Sequence, residues 1–219
     1  MSWDDPTMSP KVAKVEAQTD SGAAPRLPYA RIMDTALALV RHGQTDWNLA
    51  GRLQGRTDIE LNETGREQAR AAGRALMGEG WDLVLASPLS RAQETAALIA
   101  AELGVDTGAP VAHAVERGFG PLEGRVMIEV TEREAAALAG QAESRELVLQ
   151  RMLLALTELI QANPGRRMLV VSHGAAMRIT RDALAGTRAE RGVENGEVIP
   201  VSLARLAELV QEHDLADAR

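Results

Sequence analysis

Two apolar runs of strand length end in the same way. Leu37-Ala38-Leu39-Val40 stops at Arg41-His42-Gly43, and Met168-Leu169-Val170-Val171-Ser172 stops at His173-Gly174. An unbroken apolar run of this length, bounded by a glycine turn, predicts a strand covered on both faces. Helical periods alternate with further apolar runs between them. Ala69, Ala72, Gly73 and Leu76 recur at three and four residues, which predicts a helix from near Glu63 to Met77 with a small-residue face, capped by Asn62 or Thr64 and closed by Gly78 and Gly80. Trp81 to Ser87 predicts a second strand, ended by Pro88; Ser90 is placed to cap a helix from Arg91 to about Leu103, which Gly104 stops. A short strand is expected near Val111, and the Gly-rich, charged stretch from His113 to Arg125 reads as a loop over the sheet end. One or two helices follow, the clearer from about Ser144 to Ala162 on a stripe of Leu147, Met152, Leu156, Leu159 and Ile160, broken by Asn163-Pro164-Gly165. After the Met168–Ser172 strand, a helix is expected from about Ala175 to Leu184 and a last strand near Val198–Leu203; its continuation to Val210 fits a helix as well.

Strands alternating with helices predict a three-layer α/β/α sandwich with a mostly parallel central sheet. In open sheets of this kind ligands bind outside the carboxyl ends of the strands. Neighbouring parallel strands would bring His42 and His173 to one rim. The length of 219 residues and 45% hydrophobic content fit one domain, taken as residues 35–219. Residues 1–34 carry Pro6, Pro10, Pro25 and Pro28 among small polar residues without a period, and are expected to be a flexible extension.

Charge and composition narrow the partners. A formal net charge of −7 argues against general nucleic-acid binding and against an anionic membrane surface. With no cysteine, disulfides, thiolate zinc sites and thiol nucleophiles are excluded. The first residues lack the apolar core of a secretory signal, and no uncharged run approaches the ~20 residues that span a bilayer. A cytoplasmic location is the expectation, and a homodimer is left open.

Arg41-His42-Gly43, followed by Thr45 and Asn48, resembles the signature of the histidine phosphatase superfamily, the phosphoglycerate mutase-like fold. Further pieces match in order: Gln54-Gly55 with Asp58, Leu61, Gly65 and Gln68-Ala69; Ser87-Pro88-Leu89 with Arg91-Ala92 and Glu94-Thr95-Ala96; Glu116 with Phe119-Gly120 and Glu123-Gly124; and Ser172-His173-Gly174. The resemblance implies an enzyme acting on a small phosphomonoester, with no cofactor and no metal. The chemistry of the residues agrees. Phosphoryl transfer asks a protein chiefly for positioning and charge stabilisation. Arg41 and Arg91 offer forked donors, Asn48 a neutral donor, and His173 a further donor, expected as an imidazolium beside the anion. Thr45, Gln54, Gly55 and Gly174 are expected around the phosphate, with the helices after Gly174 and Ser90 aiming their first amides at it. His42 is then the nucleophile, kept neutral by neighbouring guanidinium charge. Glu116 is the expected general acid and base, its carboxyl raised by the substrate dianion.

Blander readings stand beside these. Glu123 is expected to brace its loop, Glu94 and Thr95 to pack, and His113 and His213 to be solvated. Two histidines and a carboxylate can bind zinc, but two converging arginines oppose a cation. The segment from Arg125 to Glu143 has no aromatic residue and suggests a site open to water, which favours a phosphatase over a mutase that must exclude water. Cofactor-dependent mutase-type transfer is the alternative, and a non-catalytic binding protein a weaker one. Arg56, Arg117 and Arg125 are expected to be available for a second acidic group of the substrate.

Overall fold

The structure, a computed structural model, describes residues 35–215 apart from the side chains of Ala135 and Ala139; the extension expected over residues 1–34 lies outside the described residues. The two apolar runs become β1 (Ala36–Arg41) and, later, β4 (Arg167–Ser172). They are adjacent and parallel, paired in phase from Ala36 opposite Arg167 to Arg41 opposite Ser172. The residues that follow, His42 and His173, therefore leave the sheet side by side. With β2 (Leu83–Ala86), β3 (Asp106–Thr107) and β5 (Val198–Pro200) the sheet has the order β3-β2-β4-β1-β5. Only β5 runs antiparallel, on the outer edge of β1.

Seven α-helices occur among the described residues: α1 (Asp46–Leu49), α2 (Glu63–Ala75), α3 (Ser90–Leu103), α4 (Glu132–Leu138), α5 (Arg145–Ala162), α6 (Gly174–Ala185) and α7 (Leu203–Glu212). The period-two alternation of the strands splits the core between two layers. Leu37, Leu39, Met168 and Val170 pack under α5, α6 and α7. Ala38, Val40, Leu169 and Val171 pack under α2 and α3. The result is the expected α/β/α sandwich with a mostly parallel sheet. None of the helices described is long and apolar enough to cross a membrane.

Several boundaries differ from the pattern-based expectation for identifiable reasons. The third strand lies at Asp106–Thr107, not near Val111. Two residues carry no period, and the Val111 N–H instead donates to the Ala86 carbonyl at 2.8 Å, one step beyond the pairing. Ser90 is the first residue inside α3 and not its cap; Leu89 is the cap, and the Ser90 N–H and hydroxyl both donate to Asp58. On α5 the buried stripe is Val148, Met152 and Leu156, spaced four apart, so Leu147 falls one position off the face and is 56% exposed. The chain after β5 takes the helical alternative, capped by Ser202.

The turn after β1 is built by backbone contact with α2. Asn62 caps α2 by accepting from the Gly65 N–H at 2.9 Å, and the Asn62 N–H donates to the Gln44 carbonyl. A Cβ on Gly43 would lie 2.2 Å from the Gly65 carbonyl oxygen, and one on Gly65 would lie 2.1 Å from the Gln44 carbonyl oxygen. Both glycines are required by this approach, and neither distance can be relieved by a side-chain rotation. Gly65→Ala is therefore expected to cost about 1–3 kcal/mol, the usual penalty of overpacking a tight site. Urea denaturation of the variant beside wild type reads this directly.

Candidate active site

At the sheet's carboxyl rim the His42 and His173 ring centroids are 5.1 Å apart with planes tilted by 58°. His42 Nδ1 lies 2.7 Å from the Gly43 carbonyl oxygen, which can only accept. Nδ1 therefore carries the proton, and Nε2 keeps its lone pair. Asn195 donates to the His42 carbonyl at 2.8 Å, and the Gly43 N–H donates to Thr95 Oγ1, fixing the turn from both sides. His173 adopts the opposite tautomer. Arg91 Nε donates to its Nδ1 at 3.3 Å, so the ring proton sits on Nε2, 2.7 Å from Ser87 Oγ. Burial first, then the guanidinium charges of Arg41 and Arg91, hold the His42 pKa well below its ordinary value. Burial first, then His42 and the same arginines, do so for His173. In the ligand-free site the His173 ring is neutral, because a second proton would face Arg91 Nε–H across the bond at Nδ1; the imidazolium expected from the sequence is that of a ring beside a bound anion.

Arg91 is fully buried on α3. Its Nη1 and Nη2 donate to the Thr57 and Gly55 carbonyls, both at 2.8 Å. The Gly55 backbone has a φ of +55°, and a Cβ there would collide with the Glu123 carboxylate. Glu123 braces this loop as expected, accepting from the Arg56, Thr57 and Phe119 N–H groups and from the Thr57 hydroxyl. Burial pushes its pKa up, and these hydrogen bonds outweigh burial to leave it lowered. Arg41 Nη1 donates to the Val193 carbonyl at 2.5 Å, while its buried Nε has no partner among the described residues. Gly174 packs on this guanidinium: a Cβ would sit 3.2 Å from Nε. Burial lowers the pKa of Arg41, opposed by the carboxylates of Glu116, Glu197 and Glu194.

Asn48 closes a capping box with Thr45. The Asn48 N–H donates to Thr45 Oγ1, and the Asn48 Oδ1 accepts from the Thr45 N–H and hydroxyl, each at 3.1 Å. Its oxygen being engaged, the amide NH₂ is the end left for a ligand. Glu116 reaches the first turn of α6. One carboxylate oxygen accepts from the Arg117 and Ala176 N–H groups at 2.7 and 2.9 Å, the other from Ala175 at 3.0 Å. The helix amides expected to face a phosphate are therefore engaged by acidic side chains, Ala175 and Ala176 by Glu116 and Ser90 by Asp58. Arg151 holds the Glu116 loop from behind. It donates to the carbonyls of His113, Val115 and Glu116 and pairs with Glu143 at 2.8 Å.

These side chains surround a cavity of about 270 Å³. Of the residues expected from the sequence, Arg41, His42, Asn48, Gln54, Arg91, Glu116 and Gly174 line it. Thr45, Gly55 and His173 stand behind it: Thr45 under Asn48, and Gly55 and His173 against Arg91. Sequence reasoning passed over Arg52, Arg178, Met127 and the Gly192-Val193 segment, which also line the cavity. It also passed over Asn195, Ser87 and Thr95 as supports. Thr95, read as packing, is a hydrogen-bond partner of the Gly43 turn; its place one turn after Arg91 was the available signal. Arg56, Arg117 and Arg125 do not line the cavity. Arg56 pairs with Glu143 and Arg125 with Glu134, while Arg117 donates to the Glu143 carbonyl and lies over the Phe119 ring.

Comparison with known proteins agrees with this geometry. The histidine phosphatase superfamily (branch 1) matches residues 37–214. The uncharacterized phosphatase PhoE of Bacillus subtilis (strain 168) is 38% identical over 155 residues, 69% of this chain and 78% of the relative. A 2,3-bisphosphoglycerate-dependent phosphoglycerate mutase of Methylobacterium sp. (strain 4-46) is 34% identical over 175 residues, 72% of this chain and 84% of the relative. A solved mycobacterial glucosyl-3-phosphoglycerate phosphatase, in complex with VO3, superposes with a TM-score of 0.68 at 28% identity, covering 76% of this chain and 90% of that one. With the paired imidazoles, the two guanidiniums and the ordered motifs all on one sheet edge, the chain belongs to the histidine phosphatase superfamily.

Proposed function

We propose that this chain is a phosphomonoesterase that hydrolyses small phosphorylated metabolites through a phosphohistidine on His42. One observation carries the reading: a neutral imidazole presents an unprotonated Nε2 to a cavity walled by Arg41 and Arg91. Arg41 Nε and Gln54 Oε1, both buried without partners, belong to that wall. An unsatisfied buried polar atom is costly, and the polar groups of a bound ligand would complete these two.

In the first step His42 Nε2 attacks phosphorus and the ester P–O bond breaks. The leaving oxygen takes a proton from Glu116. In the second step water attacks the phosphohistidine, gives a proton to Glu116, and the P–N bond breaks to release inorganic phosphate and neutral His42. Arg41, Arg91 and the Asn48 amide hold the three non-bridging oxygens; donors of this kind contribute about 10²–10³-fold each. His173 acts through Arg91, whose guanidinium it orients. Mutase-type transfer requires a phosphohistidine shielded from water. Among the described side chains of residues 125–143, Met127 alone reaches the cavity wall, which supports hydrolysis.

His42→Ala is expected to abolish phosphate release, and acid-labile phosphate trapped during turnover should map to the His42 peptide in wild type; full activity of the variant would overturn the assignment. Glu116→Gln should lower kcat by about 10²–10⁴-fold for alkyl phosphates. It should lower it much less for p-nitrophenyl phosphate, whose leaving group needs no proton, whereas equal losses would remove Glu116 from proton transfer. The neutral rings also set a pH dependence of stability. Unfolded histidine titrates near 6.5, so below that pH the unfolded chain binds protons that the native rings refuse. The stabilisation is complete above about pH 6.5 and falls on acidification by about 1.4 kcal/mol per pH unit for each ring. Urea unfolding between pH 7 and 5.5 should show this slope, shallower by one proton in His42→Asn.

A further inference from the structure

Arg52 and Arg178 are the charged residues of the cavity wall that take no part in the proposed reaction, and Arg178 is the one with its side chain unengaged. It is half-buried on α6 and, among the described residues, has no hydrogen-bond or ion-pair partner. Arg52, across the wall, is tied to the Gly124 carbonyl at 2.6 Å, and Arg41 and Arg91 are held by carbonyls of their own. The surroundings of Arg178 add positive charge. Burial, then the guanidiniums of Arg178 and Arg188, lower the pKa of Arg145 on α5, with Arg117 adding to the effect. The nearby acid is Asp182, 3.9 Å from Arg145, and it already accepts from Arg181 at 3.1 and 2.9 Å. A cationic surplus on a chain of net charge −7, open to the cavity, is the complement of an anion.

The helix fixes where that anion sits. Gly174 and Arg178 are four residues apart on α6 and share a face, so the guanidinium springs from the wall one turn, about 6 Å, beyond the catalytic end. We propose that Arg178 receives a carboxylate of the substrate, held a few bonds from the phosphoryl group, so that the site prefers short phosphorylated acids to neutral phosphomonoesters. The forked guanidinium matches a carboxylate in two parallel hydrogen bonds. The assignment rests on the phosphatase reading and adds to it the part of the substrate beyond the phosphate. It moves the second acidic contact from Arg56, Arg117 and Arg125, which do not line the cavity, to α6.

The test compares 3-phosphoglycerate with glycerol 3-phosphate, which differ by a carboxylate in place of a hydroxymethyl group, in wild type, Arg178→Gln and Arg52→Gln. Wild type should favour the acid in kcat/KM. Arg178→Gln should shrink that preference by roughly tenfold or more, as loss of a charge-assisted hydrogen bond implies, mainly through KM, with Arg178→Lys restoring part of it. No preference in wild type, an equal loss on both esters, or a preference that falls only in Arg52→Gln would overturn the subsite while leaving the phosphatase reading intact. Absence of phosphate release from either ester and from p-nitrophenyl phosphate in wild type would remove both.

Discussion

Burial keeps the His42 and His173 rings neutral while two guanidiniums stand beside them, and the rest of the site follows from that constraint. An imidazolium at either position would face Arg41 and Arg91 with little water to screen it. The hydrogen bonds then choose the tautomers. A carbonyl at Gly43 demands a donor from His42 Nδ1, and Arg91 Nε demands an acceptor from His173 Nδ1. One ring is left with a lone pair at the cavity, and the other becomes part of the frame of Arg91. The fully buried Arg91 charge carries a desolvation cost of several kcal/mol, offset by the Thr57 and Gly55 carbonyls and by the field of Glu116, Asp58 and Glu123.

The scaffold serves this arrangement by close approach more than by side-chain bulk. In-phase pairing of β1 with β4 sets the two histidines level. The Gly43–Gly65 contact seats the turn on α2, the positive-φ Gly55 leaves room for Glu123, and Gly174 leaves room for Arg41. The Glu116 loop is fastened by Arg151 on one side and by Ser172 Oγ, which donates to the Ala114 carbonyl, on the other. The placing of His42 relative to Glu116 is thus set by elements far apart in sequence.

How much was legible in the sequence depended on periodicity and on repetition. The strands ending in Arg41-His42-Gly43 and Ser172-His173-Gly174 were readable because each is an apolar run with one stop, and their equivalence implied one rim. Arg91 and Glu123 were readable through their motifs, and Glu123 does brace its loop. The helix Asp46–Leu49 was not, since four residues carry no period; only the Thr45 and Asn48 spacing of a capping box marked it. The tautomer of His173 in the ligand-free site was not legible, because it is set by Ser87 and Arg91, partners brought together only by the fold. Arg178 was missed for a related reason: as a lone arginine on a helix it looks solvated, and only the register of α6 against the cavity gives it meaning. The reverse holds for Arg56 and Arg125, whose carboxylate partners could not be assigned from sequence.

The claim on which everything turns is the protonation pattern of two rings, and nitrogen-15 NMR of the imidazoles in the ligand-free protein at pH 7 reads it directly. With resonances assigned by replacement of each histidine, the account predicts two neutral rings of opposite tautomer: His42 protonated at Nδ1 with a bare Nε2, and His173 protonated at Nε2. A His42 ring carrying its proton on Nε2, or protonated on both nitrogens, would contradict it, because no lone pair would then face the cavity.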